Sequence, residues 1–461
     1  MLLGADKTIK RRLDRTDVNE RKLFFLLVLS WFLVQLLFLR KGRIDGDEGI
    51  SVAQALATQK LGVDIYGLSD DKPPIFLSFV SILLSICPRV EFARFVFLLL
   101  SACIACLTFL TARALGFDRK ACIIAAAFLI FNEFFFAYAA IVHISILFTF
   151  LLSLSAYLWA SRRYPAAGVM FAISAFTLQV GVLPFLGLVA LMLAGAERKQ
   201  LPKFASAFAV AFAVLGSICF LSFGPEFVES VLTRNLSFIA ATNTREHAPN
   251  AFEQLFWQTP ISVLALVGLI GLSRRQLALL FFSIPLVAFF AVYPFTYIHH
   301  LFSVLPFFSV LWAKGVLNLP TRHNTALAVL LVLAIALNTA NSAFVVSHFS
   351  KSISGYESIG NFIKQLTRPD DFIFSDDRFV YFYAYRRPPE LDHRIDMKST
   401  DSVAAADGKL VPLIEDYNVT VVAITSRMTD FPEFMESLKA RYQLVRSFSD
   451  EGIDVWLKVG D

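Results

Sequence analysis

Residues 43–74 open with Arg43-Ile-Asp-Gly-Asp-Glu48 and close with Asp70-Asp-Lys-Pro-Pro74, directly after the apolar run Leu23–Leu39. Three carboxylates beside a hydrocarbon-length segment, Asp45, Asp47 and Glu48, repel one another and are costly to desolvate. They therefore mark a place where a cation, a proton-donating substrate or a metal is handled. Lys72, on the stiff turn before Pro73-Pro74, supplies a fixed positive charge suited to an anionic headgroup at the same depth. A carboxylate that takes a hydroxyl proton and a lysine that holds a phosphate leaving group make a minimal group-transfer site. The plain alternative is a solvated juxtamembrane loop.

The rest of the chain says what that loop is attached to. Of 461 residues, 56% are hydrophobic and 17% charged, against about 45–50% and about 25% in soluble domains. That balance, with a mean hydropathy of +0.62, excludes a soluble enzyme. The net charge of +5 comes mostly from Lys7, Lys10, Arg11, Arg12, Arg15, Arg21 and Lys22, which read as a positive-inside signal and not as a nucleic-acid face. Leu23–Leu39 lacks a small-residue cleavage site before Arg40 and is read as a retained signal anchor. At about 20 apolar residues per crossing, further spans are expected near Phe92–Leu115, Ala121–Tyr138, His143–Ala160, Ala166–Leu178, Val182–Ala194, Phe204–Phe223, Trp257–Leu272, Leu277–Tyr293, Leu301–Ala313 and Thr325–Val346. The intervening internal loops carry Arg119-Lys120, Arg162-Arg163, Arg198-Lys199, Arg274-Arg275, and Lys314 with Arg322. This gives about eleven spans, an N-terminus in the cytoplasm and a C-terminus on the opposite side. Cys103-Ile-Ala-Cys106 has redox spacing but lies inside an apolar run, where it reads as packing.

Two external segments exceed connector length. In residues 40–91, Glu48–Leu61 has the spacing of a short surface helix, with Ile50, Ala53, Ala57 and Leu61 on one face, and Ile75–Ile86 is too short to span and reads as a second surface or re-entrant helix. Gly224–Phe256 is polar and holds Arg234, Arg245 and His247. From Ser350 the pattern becomes that of a soluble α/β domain, with helices over Tyr356–Gln365 and Pro432–Ala440 and strands over Asp371–Ser375, Val419–Thr425, Tyr442–Phe448 and Ile453–Val459. It has no phosphate loop, metal-ligand spacing or nucleophile elbow. The fold expected is mainly α: a polytopic membrane body over residues 1–349 with its external loop at 40–91, and a small extracytoplasmic α/β domain over 350–461.

Asp47-Glu48, the Ala-rich segment through Ala53 and Ala57, Gly62, Tyr66 and Lys72-Pro73-Pro74 together resemble the first external loop of the GT-C glycosyltransferases. Within that superfamily they are most similar to the protein O-mannosyltransferase and lipid A aminoarabinose transferase group. Arg94, the run Ala112-Arg-Ala-Leu-Gly-Phe117 and the trailing α/β domain extend the resemblance over essentially the whole chain. The resemblance implies transfer of a sugar, with inversion, from a polyprenyl-phosphate donor to a glycan, lipid or protein acceptor on the extracytoplasmic face of a bacterial cytoplasmic (inner) membrane, with cell-envelope glycan or lipopolysaccharide as the setting. It makes Asp47 the base or an acceptor-orienting carboxylate, Glu48 its neighbour, Lys72 a phosphate ligand and Arg94 a helper near the donor. No cofactor is expected, and a divalent metal is compatible with the sequence but not required by it.

The chain departs from that pattern at three histidines. His143 stands where relatives have an aspartate, and His299-His300 where they read Arg-Tyr. All three fall at expected outer span ends, from which they could donate to phosphate or assist proton transfer. The alternative is interfacial histidines bonded to backbone. Donor-phosphate binding is accordingly assigned to Lys72, Arg94, His299 and His300, and acceptor or donor contacts to Asp45, His143, Arg234, Arg245 and His247. A metal site from His299, His300 and Asp47 is a further option. Competing functions are a transporter or flippase of lipid-linked sugars, against which stands the placement of ionisable groups at span ends, and a non-catalytic membrane scaffold.

Overall fold

The computed structural model describes residues 22–40, 46–61, 72–233, 262–293, 298–319, 340, 353–386, 410–426, 428 and 431–459. Its membrane body is a series of apolar helices: α1 (Lys22–Leu36), α2 (Gly46–Leu61), α3 (Ile75–Ile86), α4 (Val90–Ala114), α5 (Arg119–Ile130), α6 (Glu133–Tyr138), α7 (Ile144–Ala160), α8 (Tyr164–Ala175), α9 (Val182–Leu193) and α10 (Leu201–Val228), followed by helices over Ser262–Gly268, Ala278–Val292 and Leu305–Leu317. Among the described residues, three helical segments are long and apolar enough to cross a membrane, Val90–Ala114, Glu197–Val231 and His299–Leu317. The others are shorter apolar helices, and the span expected over Thr325–Val346 lies outside the described residues. In the body α4 packs on α5 and α7, α7 on α8, and α8 on α10.

The expected span Ala121–Tyr138 is two helices. Asn132 interrupts it by accepting hydrogen bonds from the amides of Phe134 and Phe135, at 3.1 and 3.2 Å, so it serves as the N-cap of α6. Asparagine is among the preferred N-caps because its side-chain oxygen satisfies otherwise orphaned amides. The carbonyls at the far end of this short helix find side-chain donors. Gln35 donates to Phe136 at 2.9 Å and Ser101 to Ala139 at 2.7 Å, as a non-aqueous interior requires of irregular backbone. The span expected from Leu301 likewise begins as a tight turn of helix, Ile298–Val304, before becoming regular at Leu305. In α10, Gly224 takes φ +63° ahead of Pro225 and breaks the helix there; a residue with a Cβ is disfavoured in that conformation.

The C-terminal part holds four strands, β1 (Ile373–Ser375), β2 (Val421–Thr425), β3 (Tyr442–Phe448) and β4 (Ile453–Lys458), in the order β1-β2-β4-β3. β1 pairs with β2 in parallel, and the other pairs are antiparallel. Helices over Ile353–Leu366, Arg378–Ala384 and Pro432–Arg441 cover it. Two carboxylates organise its edge: Asp376 accepts from the amide and hydroxyl of Thr425, tying β1 to β2, and Asp377 caps the Arg378–Ala384 helix while accepting from the Tyr356 hydroxyl. Burial raises the Asp376 carboxyl above its usual value, and the Thr425 hydrogen bonds act in the opposite direction. The part is not independent of the membrane body. Tyr356, Ile359 and Phe379 belong to the same hydrophobic cluster as the body's core, and the Arg378–Ala384 helix packs on α2.

Candidate active site

The site is built where helix beginnings meet. Asp47 and Glu48 occupy the first turn of α2, and Val142-His143 immediately precede α7. Orphan amides and the positive ends of the helix dipoles favour carboxylates at such places. The two adjacent carboxylates have opposite fates. Glu48 is wholly buried, accepting from Arg94 Nε at 2.8 Å and Nη2 at 2.5 Å and from the Val142 amide at 3.0 Å. Arg94, 1% exposed, also donates from Nη1 to the Leu39 carbonyl at 2.9 Å. Expected as a helper at the donor phosphate, Arg94 instead has its guanidinium committed to holding the end of the α1 segment, α2 and α4 together. Glu48 is likewise spent on Arg94 and Val142.

Asp47, by contrast, has a side chain 53% exposed. Its Oδ2 lies 3.4 Å from His143 Nε2 and 3.8 Å from His299 Nε2. Partial burial pushes its pKa up, but the His143 hydrogen bond, together with the electrostatic influence of the two neighbouring imidazoles and of Lys72, outweighs burial and holds the carboxyl below the usual carboxylate range. Asp47 is therefore an ionised group open to solvent. Lys72, half-buried at the entrance to α3, contributes to that field.

His143 is the N-cap of α7. Its Nδ1 lies 3.1 Å from the Ser145 amide. A backbone amide can only donate, so Nδ1 is an acceptor and the neutral ring carries its proton on Nε2. That proton points at Asp47. The tautomer bears on metal binding, since ligand atoms of Asp47, His143 and His299 all lie within 4.8 Å of one another, close enough to share an ion. A metal takes the lone pair of a histidine nitrogen, whereas Nε2 of His143 offers a proton. The hydrogen bonding fits a donor to Asp47 and does not fit a metal ligand at this ring.

The expected histidine pair divides. His299 lies against His143, with ring centroids 4.6 Å apart and the planes tilted by 59°, and faces Asp47. His300 stacks on Phe290 at 5.4 Å with an interplanar angle of 12°. Tyr138, on α6, lies edge-on to His143 at 6.0 Å and tilted against His299 at 6.2 Å. Thus Asp47, His143, His299 and the field of Lys72 come together, while Glu48 and Arg94 lie beneath them. Asp45, Arg234, Arg245 and His247 lie outside the described residues.

One component has no signature in the sequence. Gly49, on the first turns of α2, faces the C-terminal part so closely that a Cβ there would sit 2.7 Å from Phe379 Cδ2. Glycine at this position lets the Arg378–Ala384 helix lie against the helix that carries Asp47. Only the acidic Asp376-Asp377 pair, whose second member caps that helix, hints at it in the chain.

Solved structures share the fold that carries these residues. ArnT from Cupriavidus metallidurans in the apo state superposes with a TM-score of 0.70 at 14% identity, covering 96% of this chain and 98% of that one. The same protein bound to undecaprenyl phosphate gives 0.67 at 15% identity, covering 95% and 98%. The chain has the GT-C fold. An oligosaccharyltransferase from Archaeoglobus fulgidus shares the fold at a TM-score of 0.59 and 12% identity, over 94% of this chain and 74% of that one. No protein-family model and no curated protein matches the chain. Its apolar helices and GT-C fold make it an integral membrane protein.

Proposed function

We propose that the protein is a glycosyltransferase that moves a sugar from a polyprenyl-phosphate donor to a hydroxyl-bearing acceptor on the extracytoplasmic face, with inversion. The observation that carries this reading is the contrast between two neighbouring carboxylates. Glu48 is locked in a buried ion pair, and Asp47 is held ionised and accessible by His143 beside the charge of Lys72.

In the proposed step, the Asp47 carboxylate accepts the proton of the acceptor hydroxyl as that oxygen bonds to the anomeric carbon. The bond from the anomeric carbon to the phosphate oxygen breaks, and polyprenyl phosphate leaves with the electron pair. Lys72 stabilises the leaving anion, with His299 beside it. His143 donates to one Asp47 oxygen, which fixes the carboxylate's orientation and leaves its other oxygen for the acceptor. Glu48 and Arg94 position the turn and do not touch substrate. The likeness to a fold solved with undecaprenyl phosphate in ArnT supports the donor class, and Asp45, Arg234, Arg245 and His247 are retained as acceptor or donor contacts.

The test is transfer from a radiolabelled polyprenyl-phosphate sugar by membranes carrying wild-type protein or Asp47→Asn, paired with mass spectrometry of envelope glycans from a deletion strain. A glycan that lacks one sugar in the deletion, restored by wild type and not by Asp47→Asn, is the expected result. Restoration by Asp47→Asn would remove this mechanism.

A further inference from the structure

Away from Asp47, a cavity of about 430 Å³ opens where the later part of α2, the turn between α3 and α4, and the helices Ile353–Leu366 and Arg378–Ala384 meet. Its volume lies in the range of small-molecule sites, roughly 300–1,000 Å³. Its lining mixes planar and charged groups. Tyr383 and Tyr385 supply aromatic surface, Asn361 an amide able to both donate and accept, and Arg89 and Lys364 two cations. Aromatic faces against C–H surface, with amide and charged groups reading hydroxyls and carboxylates, suit a saccharide.

The charge balance narrows the ligand further. The two acidic residues on the wall, Glu91 and Glu357, are both taken by Arg40, at 3.3 and 3.5 Å. Arg89 and Lys364 have no carboxylate within ion-pair distance among the described residues. With Arg40 counted, three cations face two carboxylates and the wall keeps a net charge of +1, carried by the side of Arg89 and Lys364, which favours a ligand that brings its own anion. Its position also matters. Leu56 lines it while Asp47 sits on the first turn of the same helix, and nine residues at about 1.5 Å each separate them by roughly 14 Å along α2. An oligosaccharide is long enough to reach from one to the other.

We propose that this cavity is a distal subsite for an acidic unit of the acceptor glycan, a sugar carrying a carboxylate or a phosphate. The word acceptor rests on the proposed glycosyl transfer; the binding itself does not. Full-length protein in nanodiscs is titrated with digalacturonate, galactose 6-phosphate, the neutral galactobiose and inorganic phosphate, with binding followed by saturation-transfer NMR. The same titrations are run on Arg89→Gln/Lys364→Gln and on Tyr385→Ala, all exposed positions.

An acidic sugar is expected to bind wild type more tightly than galactobiose or inorganic phosphate, and to lose about tenfold or more in affinity when both cations are removed, the scale of lost charge-assisted hydrogen bonds. Tyr385→Ala is expected to weaken the sugar probes and leave inorganic phosphate unchanged. Equal binding of galactobiose, equal binding of inorganic phosphate, unchanged affinity in the double variant, or no binding of either acidic sugar would each overturn the subsite. Acidic-sugar binding in a protein that transfers nothing would instead sink the proposed function and leave the subsite standing.

Discussion

Replacing Arg94 by glutamine tests the foundation under Asp47. Arg94 and Glu48 are 1% and 0% exposed, joined by two guanidinium–carboxylate contacts, with a third donor on the Leu39 carbonyl. Removing the cation leaves Glu48 in the same enclosure with only the Val142 amide as partner. Breaking a buried pair from one side costs about 3–5 kcal/mol because the remaining charge is stranded. At about 1.4 kcal/mol per decade, that is about two to three and a half decades in the population of the intact arrangement. Arg94→Gln should therefore lower the thermal midpoint of the detergent-solubilised protein and reduce transfer by a similar factor, since Asp47 shares the turn with the stranded carboxylate. Glu48→Gln alone should be comparably damaging, as it strands the arginine. The double variant, with two neutral amides able to bond each other, should recover part of both losses. The double-variant cycle, read by differential scanning fluorimetry and initial transfer rates, supplies the coupling. An Arg94→Gln protein with wild-type midpoint and rate, or a double variant whose losses simply add, would refute the account of the pair as a positioning device.

Three further outcomes follow from the geometry. His143→Asn keeps a good N-cap on α7 but cannot reach Asp47, so its midpoint should change by less than about 1 kcal/mol while transfer falls about tenfold or more; full activity would show that His143 merely caps. Because Asp47 is held below the usual carboxylate range, its stabilising contribution is present above the unfolded value of about 3.9 and lost as pH falls through the lower folded value. The acid limb of kcat/KM should accordingly lie below about pH 4 in wild type and move upward in His143→Ala, and an unmoved limb would separate that histidine from the base. Gly49→Ala drives a methyl against Phe379 and should cost about 1–3 kcal/mol as overpacking, with faster proteolysis in the C-terminal part and partial relief on adding Phe379→Ala; an unaltered cleavage pattern would mean the two surfaces do not bear on each other.

Much of this arrangement was legible in the chain. The short apolar run Ile75–Ile86, read as a surface or re-entrant helix, is a helix with those bounds, the alternation of β3 and β4 marked the strands, and the end expected at Phe223 coincides with the break at Gly224. These are local signals carried by neighbours three or four residues apart, or two apart in strands. The resemblance to GT-C loops likewise pointed to the fold that the solved structures share. What escaped was long-range. Glu48 and Arg94 are both charged and both in or beside residues 40–91, but nothing in their spacing says that one will quench the other. The division of His299 from His300 depends on a tight helical turn that directs adjacent rings to different partners, Asp47 and Phe290. The break at Asn132 was hidden because the apolar run continues through it, and its cap is a single polar residue inside a hydrophobic stretch.

The contact between Gly49 and Phe379 also has a consequence for biosynthesis. A ribosome delivers the helix bearing Asp47 well before its packing partner, because the whole run of apolar helices lies between them in the chain. Until the Arg378–Ala384 helix arrives, the first turns of α2 lack the surface they are shaped to meet, so the nascent chain inserts with the turn that carries Asp47 unsupported on one side. Synthesis of the C-terminal part thus supplies the surface that braces these turns, and a product truncated before Arg378, even one with every apolar helix in place, lacks that support.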